Sequence, residues 1–155
     1  VQVGALVDEV RSTARHAPRF RDVELVEASL SEPVERAVVA IERDRLQQVL
    51  VNILLNAADA VREGGGGRVW LDARLVDGEV QLRCRDDGPG FSAVALERAL
   101  EPFFTTKEPG RGTGLGLATS LQMVQAAGGR LELANASEGG ALVTVVLPVA
   151  EAAAE

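Results

Sequence analysis

Apolar residues recur at helical spacing at Leu6, Val7, Val10 and Ala14, which predicts a short amphipathic helix over residues 4–16. Two short strands are predicted next, at Val23–Glu27 and at 34–41, parted by a loop that carries Pro33. Asp44 reads as the N-cap of the longest helix, and Gln47 three residues on completes a capping-box-like pair. That helix is expected to run to Glu63 and to stop at the glycine run 64–67. Residues 68–76 alternate, with Val69, Leu71, Ala73 and Leu75 on one face. Asp77-Gly78 marks a hairpin, and Val80, Leu82 and Cys84 carry the alternation on to Asp86. Residues 92–100 read as a short helix, the segment to Gly112 as a loop, and 113–127 as a helix closed by Gly128-Gly129. Strands at 130–135 and 141–147 flank a Gly139-Gly140 turn. Pro148 is expected to end the fold, with 149–155 fraying.

Antiparallel hairpins alternating with helices predict an α+β fold, a two-layer sandwich with helices on one face of the sheet. Composition narrows the picture. The 155 residues, 46% of them hydrophobic, suit one domain over 1–148 with its own core. No apolar run approaches the ~20 residues that span a bilayer. The start Val1-Gln-Val-Gly shows no basic leader and looks like the cut edge of a longer protein. The single cysteine, Cys84, permits no internal disulfide; it reads as a small buried strand residue rather than a nucleophile, and fits a cytoplasmic setting. A net charge of −7 with scattered arginines and no tyrosine argues against a nucleic-acid surface.

Chemistry enters with the long helix. Leu46, Val49, Leu50, Ile53, Ala57, Ala60 and Val61 form its apolar face, whereas Gln48, Asn52, Asn56, Asp59 and Glu63 line up as one polar stripe. A solvent-facing stripe is usually built from Glu, Lys and Arg, because asparagine is a poorer helix former. Two asparagines one turn apart in mid-helix therefore point to a task. Asp86-Asp-Gly-Pro-Gly-Phe91 follows at a strand end, where alone it would be an ordinary turn. Then comes Glu101-Pro-Phe-Phe-Thr-Thr-Lys107, running into Gly112-Thr-Gly-Leu-Gly-Leu117 at the start of a helix. Its glycines fit neither a dinucleotide fingerprint, since residue 117 is leucine, nor a P-loop, since no Gly-Lys-Ser/Thr follows. Backbone N–H groups at that helix start would hold a phosphate without much side-chain charge.

These blocks, in this order, resemble the ATP-binding catalytic domain of bacterial sensor histidine kinases. DNA gyrase, the mismatch-repair ATPases and the large heat-shock chaperones share the superfamily. The helix with Asn52 and Asn56 resembles the N box, Asp86 to Gly90 the G1 box, Phe103-Phe104 the F box and Gly112 to Gly116 the G2 box. The resemblance covers the chain from about Leu6 to Pro148 and implies nucleotide held between helices and sheet beneath a mobile lid. It makes Asn56 the Mg²⁺ ligand, with Asn52 assisting at the metal or phosphates. Carboxamide oxygens are hard neutral donors that suit the role. It makes Asp86 the acceptor for the exocyclic amine of adenine, with Gly88 and Gly90 permitting the tight turn. Asp59 joins the nucleotide-binding set through the stripe.

Phe103 and Phe104 read as core residues or as the apolar anchor of the lid. Thr105, Thr106, Lys107, Gly112, Thr113, Gly114, Leu115 and Gly116 make its phosphate-facing part, with Arg111 a second cation. The short lid resembles that of nitrogen-regulation sensor kinases. Asp87 departs from the asparagine usual in its slot and is expected to be exposed.

The resemblance implies transfer of the γ-phosphoryl of ATP to a histidine on a dimerising helical module, and signalling to a response regulator. Asn52 stands where the water-activating relatives carry a glutamate, and an amide cannot act as a general base. His16, followed by Ala17-Pro18 at a helix end, reads as a surface residue. The acceptor is therefore expected on a module outside this chain, which alone should not phosphorylate itself. The rival readings are a related serine kinase or gyrase-like ATPase, and a non-catalytic module that binds nucleotide or a partner.

Overall fold

The computed structural model describes residues 1–64, 67–101 and 116–150. Helix α1 (Val3–Arg15) is followed by a 3-10 turn (Pro18–Phe20), strand β1 (Val23–Glu27) and a short helix α2 (Glu32–Arg36). The long helix α3 (Arg43–Glu63) leads into the hairpin β2 (Gly67–Val76) and β3 (Glu79–Asp86). After α4 (Ala93–Arg98) come α5 (Gly116–Ala126), β4 (Arg130–Asn135) and β5 (Ala141–Pro148). The sheet runs β1-β2-β3-β5-β4, with β1 and β2 parallel and every other neighbouring pair antiparallel. The expected α+β sandwich is what forms.

The hairpin holds its register because Asp77 and Gly78 both take positive φ, the turn geometry whose twist matches that of the flanking strands. Cross-strand partners Leu71 and Cys84, and Leu82 and Val145, then point to the helix side. There Val69, Leu71, Val80, Leu82, Cys84, Val143, Val145 and Leu147 meet Leu46, Val49, Leu50, Ile53, Leu54 and Val61 of α3 in one core. Leu75, predicted on the same face, lies beyond the helices and is 42% exposed. The outer face is polar. Arg83 donates to Asp72 at 3.1 Å, Arg74 to Gln81 at 2.7 Å, and the Arg85 guanidinium stacks on Trp70 at 3.7 Å.

Three expectations need correction. Residues 34–41 are not a strand: Ser31 precedes a helical turn with Pro33 and two glutamates in its first turn, and α2 forms instead. Only Val38 and Val39 behave as strand, each in an isolated bridge, to Gln2 and Val149 respectively. Helix α3 begins one residue before Asp44, with Glu42 at its N-cap and no side-chain cap bond, so the capping box from Asp44 to Gln47 does not form. The ladder also continues past Pro148. Val149 donates its N–H to Gly78 and Ala150 to Val38, so both belong to the fold rather than to a tail.

Arg11 ties the first helix to the sheet. It is only 6% exposed, and its Nη2 donates to the carbonyls of Ala28 and Leu71 at 2.8 Å each. Burial pushes its pKa down, partly offset by Asp8, but an arginine has ample range to stay charged.

Candidate functional site

The polar stripe of α3 splits in the structure. Gln48 and Glu63 at its ends are exposed, whereas Asn52, Asn56 and Asp59 between them are half-buried. A purely solvated stripe would be exposed along its whole length. Helix α5 explains part of the difference: it packs against α3, and a Cβ placed on Gly116 would lie 3.9 Å from Asn56 Nδ2. The start of the described α5 therefore abuts the Asn56 amide.

Asp86 is the second half of the site. The alternation of β3 points Val80, Leu82, Cys84 and Asp86 to the helix side, so a carboxylate stands where its predecessors carry apolar groups. It is 3% exposed. Its Oδ1 accepts the N–H of Gly88 at 2.9 Å and of Ala141 at 3.2 Å. Burial pushes its pKa above the usual carboxylate range, reinforced by Asp87, while the two N–H donors and Arg85 pull the other way. The site thus holds a largely desolvated acceptor at the end of the central strand, beside the C-terminal half of α3.

Close packing joins the two halves. A Cβ on Gly88 would sit 3.1 Å from Asp86 Oδ1 and 3.3 Å from the backbone of Ala60 in α3, so the turn lies directly on the helix one turn beyond Asn56. Gly90 has φ +80°, and a side chain there would meet Asn135 Oδ1 at 2.8 Å. Asn135 grips the end of the turn with both amide atoms. It accepts from Phe91 N at 2.7 Å and donates to Phe91 O at 3.0 Å. Gly140, at φ +84°, would drive a Cβ into the carbonyl oxygen of Asp86. The β4–β5 hairpin is therefore a clamp on the segment Asp86–Phe91.

Asn135 and Gly140 were invisible as site residues. The sequence showed a Gly139-Gly140 turn, but nothing local told which strand end it would close on.

Asp59 sits on the same stripe, and its carboxylate is held by Arg19. Arg19 Nε donates to Oδ1 at 3.1 Å, and Nη2 donates to Oδ2. Asp87 is exposed as expected and accepts from Arg68 N at 2.8 Å, which fastens the turn to the start of β2. His16 is exposed at the end of α1, its ring Nδ1 beside the Ser12 carbonyl at 2.7 Å. Cys84 is buried in the core, and burial pushes its thiol pKa up, which suits packing and not nucleophilic chemistry. Phe103, Phe104, Thr105, Thr106, Lys107, Arg111, Gly112, Thr113, Gly114 and Leu115 lie outside the described residues. No described helix is long and apolar enough to cross a membrane.

Comparison with known proteins places the chain in a family. Residues 41–151 match the family described as "Histidine kinase-, DNA gyrase B-, and HSP90-like ATPase". Over 148 residues the chain is 41% identical to the C4-dicarboxylate transport sensor protein DctB of Pseudomonas aeruginosa, a match covering 95% of this chain and 24% of that protein. The chain thus spans about a quarter of that relative's length. Its fold is similar to that of a mycobacterial sensor histidine kinase, MprB, with TM-score 0.79, 28% identity and coverage of 96% of this chain and 95% of that one. Full-length ShkA, solved in complex with AMPPNP, matches with TM-score 0.81 and 30% identity over 99% of this chain and 31% of that one. With a match over most of its length, this chain belongs to the family of histidine kinase-, DNA gyrase B- and HSP90-like ATPases.

Proposed function

We propose that this chain is the ATP-binding catalytic domain of a two-component sensor histidine kinase. One observation carries the reading to adenine in particular: the Asp86 carboxylate is buried at a strand end, with two backbone N–H groups fixing one oxygen. A desolvated acceptor favours a ligand that donates a hydrogen bond, as the exocyclic amine of adenine does, and disfavours the carbonyl of guanine. Gly88 and Gly90 keep the turn beside it free of side chains. Asn56 and Asn52 would hold Mg²⁺ through their amide oxygens, and Lys107, Thr105, Thr106, Arg111 and the segment Gly112 to Gly116 would face the phosphates. Mg²⁺ supplies charge neutralisation across the phosphate oxygens.

What the chain's own residues contribute is positioning. Asn52, an amide, cannot draw a proton from water, so the γ-phosphoryl group is kept for transfer rather than hydrolysis. The acceptor is a histidine on a dimerising helical module of the same kinase, and a response regulator receives the phosphoryl group next. The domain is expected to work at the cytoplasmic side, with no nucleic acid or membrane contact of its own.

The test incubates γ-labelled ATP with the domain alone and with its helical module. Acid-labile, base-stable label on the module, and none on the isolated domain, is the expected result. Label on His16 would defeat the reading of an acceptor outside this chain, and alkali-labile label on the module would favour a serine kinase and defeat the proposal.

A further inference from the structure

We infer that Ser120 is a positioning residue for Asn52: its buried hydroxyl accepts an N–H of the Asn52 amide when the amide oxygen turns towards Mg²⁺ and the phosphates. The inference rests on the reading of Asn52 as part of the nucleotide site.

Three observations support it. First, Ser120 is 0% exposed, and its Oγ is buried with no hydrogen-bond partner. A serine hydroxyl can donate one hydrogen bond and accept two. Burying it unpaired opposes folding, so its presence calls for a partner supplied in another state.

Second, α3 and α5 pack against each other and run antiparallel, which brings Ser120 level with Asn52. The end of α3 lies at the Asp86 turn, where a Cβ on Gly88 would touch the backbone of Ala60. Helix α5 starts beside Asn56 and runs the other way, to where a Cβ on Gly129 would meet Val146 and Leu147 at the far end of β5. Residues four apart share a helix face. Ser120 therefore follows Gly116 along α5 as Asn52 precedes Asn56 along α3, each by about 6 Å of rise.

Third, Ser120 interrupts an apolar stripe. Leu117, Leu121 and Val124 around it pack into the core and offer no acceptor. For packing alone, alanine would serve as well. An amide that presents its oxygen to a cation turns its NH₂ away, and those N–H groups need an acceptor. On the α5 side, the Ser120 hydroxyl supplies one.

The experiment must separate this hydrogen bond from ordinary packing. MgATP binding is measured by calorimetry, and adenosine binding by chemical-shift titration, for the wild type, Ser120→Ala, Ser120→Cys, Asn52→Ala and the double variant Asn52→Ala/Ser120→Ala. Circular dichroism confirms that each is folded, and thermal denaturation without ligand gives its Tm. Ser120→Ala should bind MgATP about three- to tenfold more weakly, with adenosine unchanged, because adenosine does not engage Asn52. Its Tm should equal or exceed that of the wild type, since an unpaired buried hydroxyl has been removed. Ser120→Cys fills the same space with a weak acceptor, so it should lose as much MgATP affinity as Ser120→Ala, and it serves as the readout should Ser120→Ala not fold. In the Asn52→Ala background, Ser120→Ala should cost less than about twofold.

Wild-type MgATP affinity in either Ser120 variant, an equal loss for adenosine, a lower Tm in Ser120→Ala, or an undiminished loss in the Asn52→Ala background would overturn this inference and leave the site intact. Failure of the wild type to bind MgATP, or unchanged MgATP affinity in Asn52→Ala, would overturn both the inference and the reading of Asn52.

Discussion

Gly139 and Gly140 occupy one turn and both take positive φ, +99° and +84°, yet they should respond very differently to alanine. A Cβ on Gly139 meets nothing within 4 Å. The cost of Gly139→Ala is then mainly the left-handed backbone, about 1–2 kcal/mol. A Cβ on Gly140 collides with the carbonyl oxygen of Asp86 and comes within 3.1 Å of Asp87 Cα. Those are backbone atoms in a paired strand end, so they cannot swing aside as a flexible side chain would. Relief requires the β5 start to move away from Asp86, which breaks the 3.2 Å bond from Ala141 N to the Asp86 carboxylate.

A hydrogen bond to a charged group is worth about 1.5–3 kcal/mol. Adding it to the backbone term puts Gly140→Ala at about 3–5 kcal/mol. For a domain of this size each kcal/mol lowers Tm by about 2–4 °C. The expected losses are therefore about 2–8 °C for Gly139→Ala and about 6–20 °C for Gly140→Ala, read by thermal denaturation followed in the far ultraviolet. MgATP affinity should drop with Gly140→Ala alone, by about tenfold, since only that variant displaces Asp86. Equal Tm losses in the two variants, or wild-type MgATP affinity in a folded Gly140→Ala, would refute the claim that the β4–β5 turn braces the site.

Asp86 also predicts a pH profile. Burial raises its folded pKa, so the stability it confers is full below the unfolded carboxylate pKa and is lost as pH rises through the folded value. Nucleotide affinity should run the opposite way, rising as Asp86 ionises above the ordinary carboxylate range. MgATP titrations of wild type and Asp86→Asn across that interval should diverge, and parallel curves would contradict the assignment. Asn135→Ala removes both bonds to Phe91 and should lower stability by about 1–2 kcal/mol in urea titrations, with weaker MgATP binding. Cys84, buried and with its ionisation suppressed, should be silent to a thiol reagent in the native protein and react once per chain in guanidinium.

Much of the architecture was legible because it is local. Helix α3 announces itself by an apolar face at Leu46, Val49, Leu50 and Ile53, and the β2–β3 hairpin by strict alternation around Asp77-Gly78. The misread segment, 34–41, shows the limit of that signal. Val34, Ala37, Val39 and Ile41 are all buried, and short apolar runs suit a strand or a helical turn equally. Ser31-Glu32-Pro33 decided for the helix, being a helix-start signature that outweighs the β-branched valines.

At the site, Asn52 and Asn56 stood out as odd choices for a mid-helix position, whereas Asp86, alone an ordinary turn residue, was read from the blocks around it. An amide in mid-helix and a carboxylate on an inward-facing strand position both oppose local preference, which marks function more than folding. The supporting residues gave no such mark. Asn135 reaches Phe91 across 44 residues and Arg19 reaches Asp59 across 40, and neither is unusual for the element that carries it. Only the assembled sheet and the packed 3-10 turn bring them there.

The central claim is that α3 and the Asp86 turn together form an adenine nucleotide site. Calorimetry of MgATP against the wild-type domain, Asn56→Ala and Asp86→Ala tests it most directly, with GTP as the specificity control. The account predicts binding of MgATP in preference to MgGTP by the wild type, and a loss of at least about tenfold in each folded variant. Unchanged MgATP affinity in both variants would contradict it.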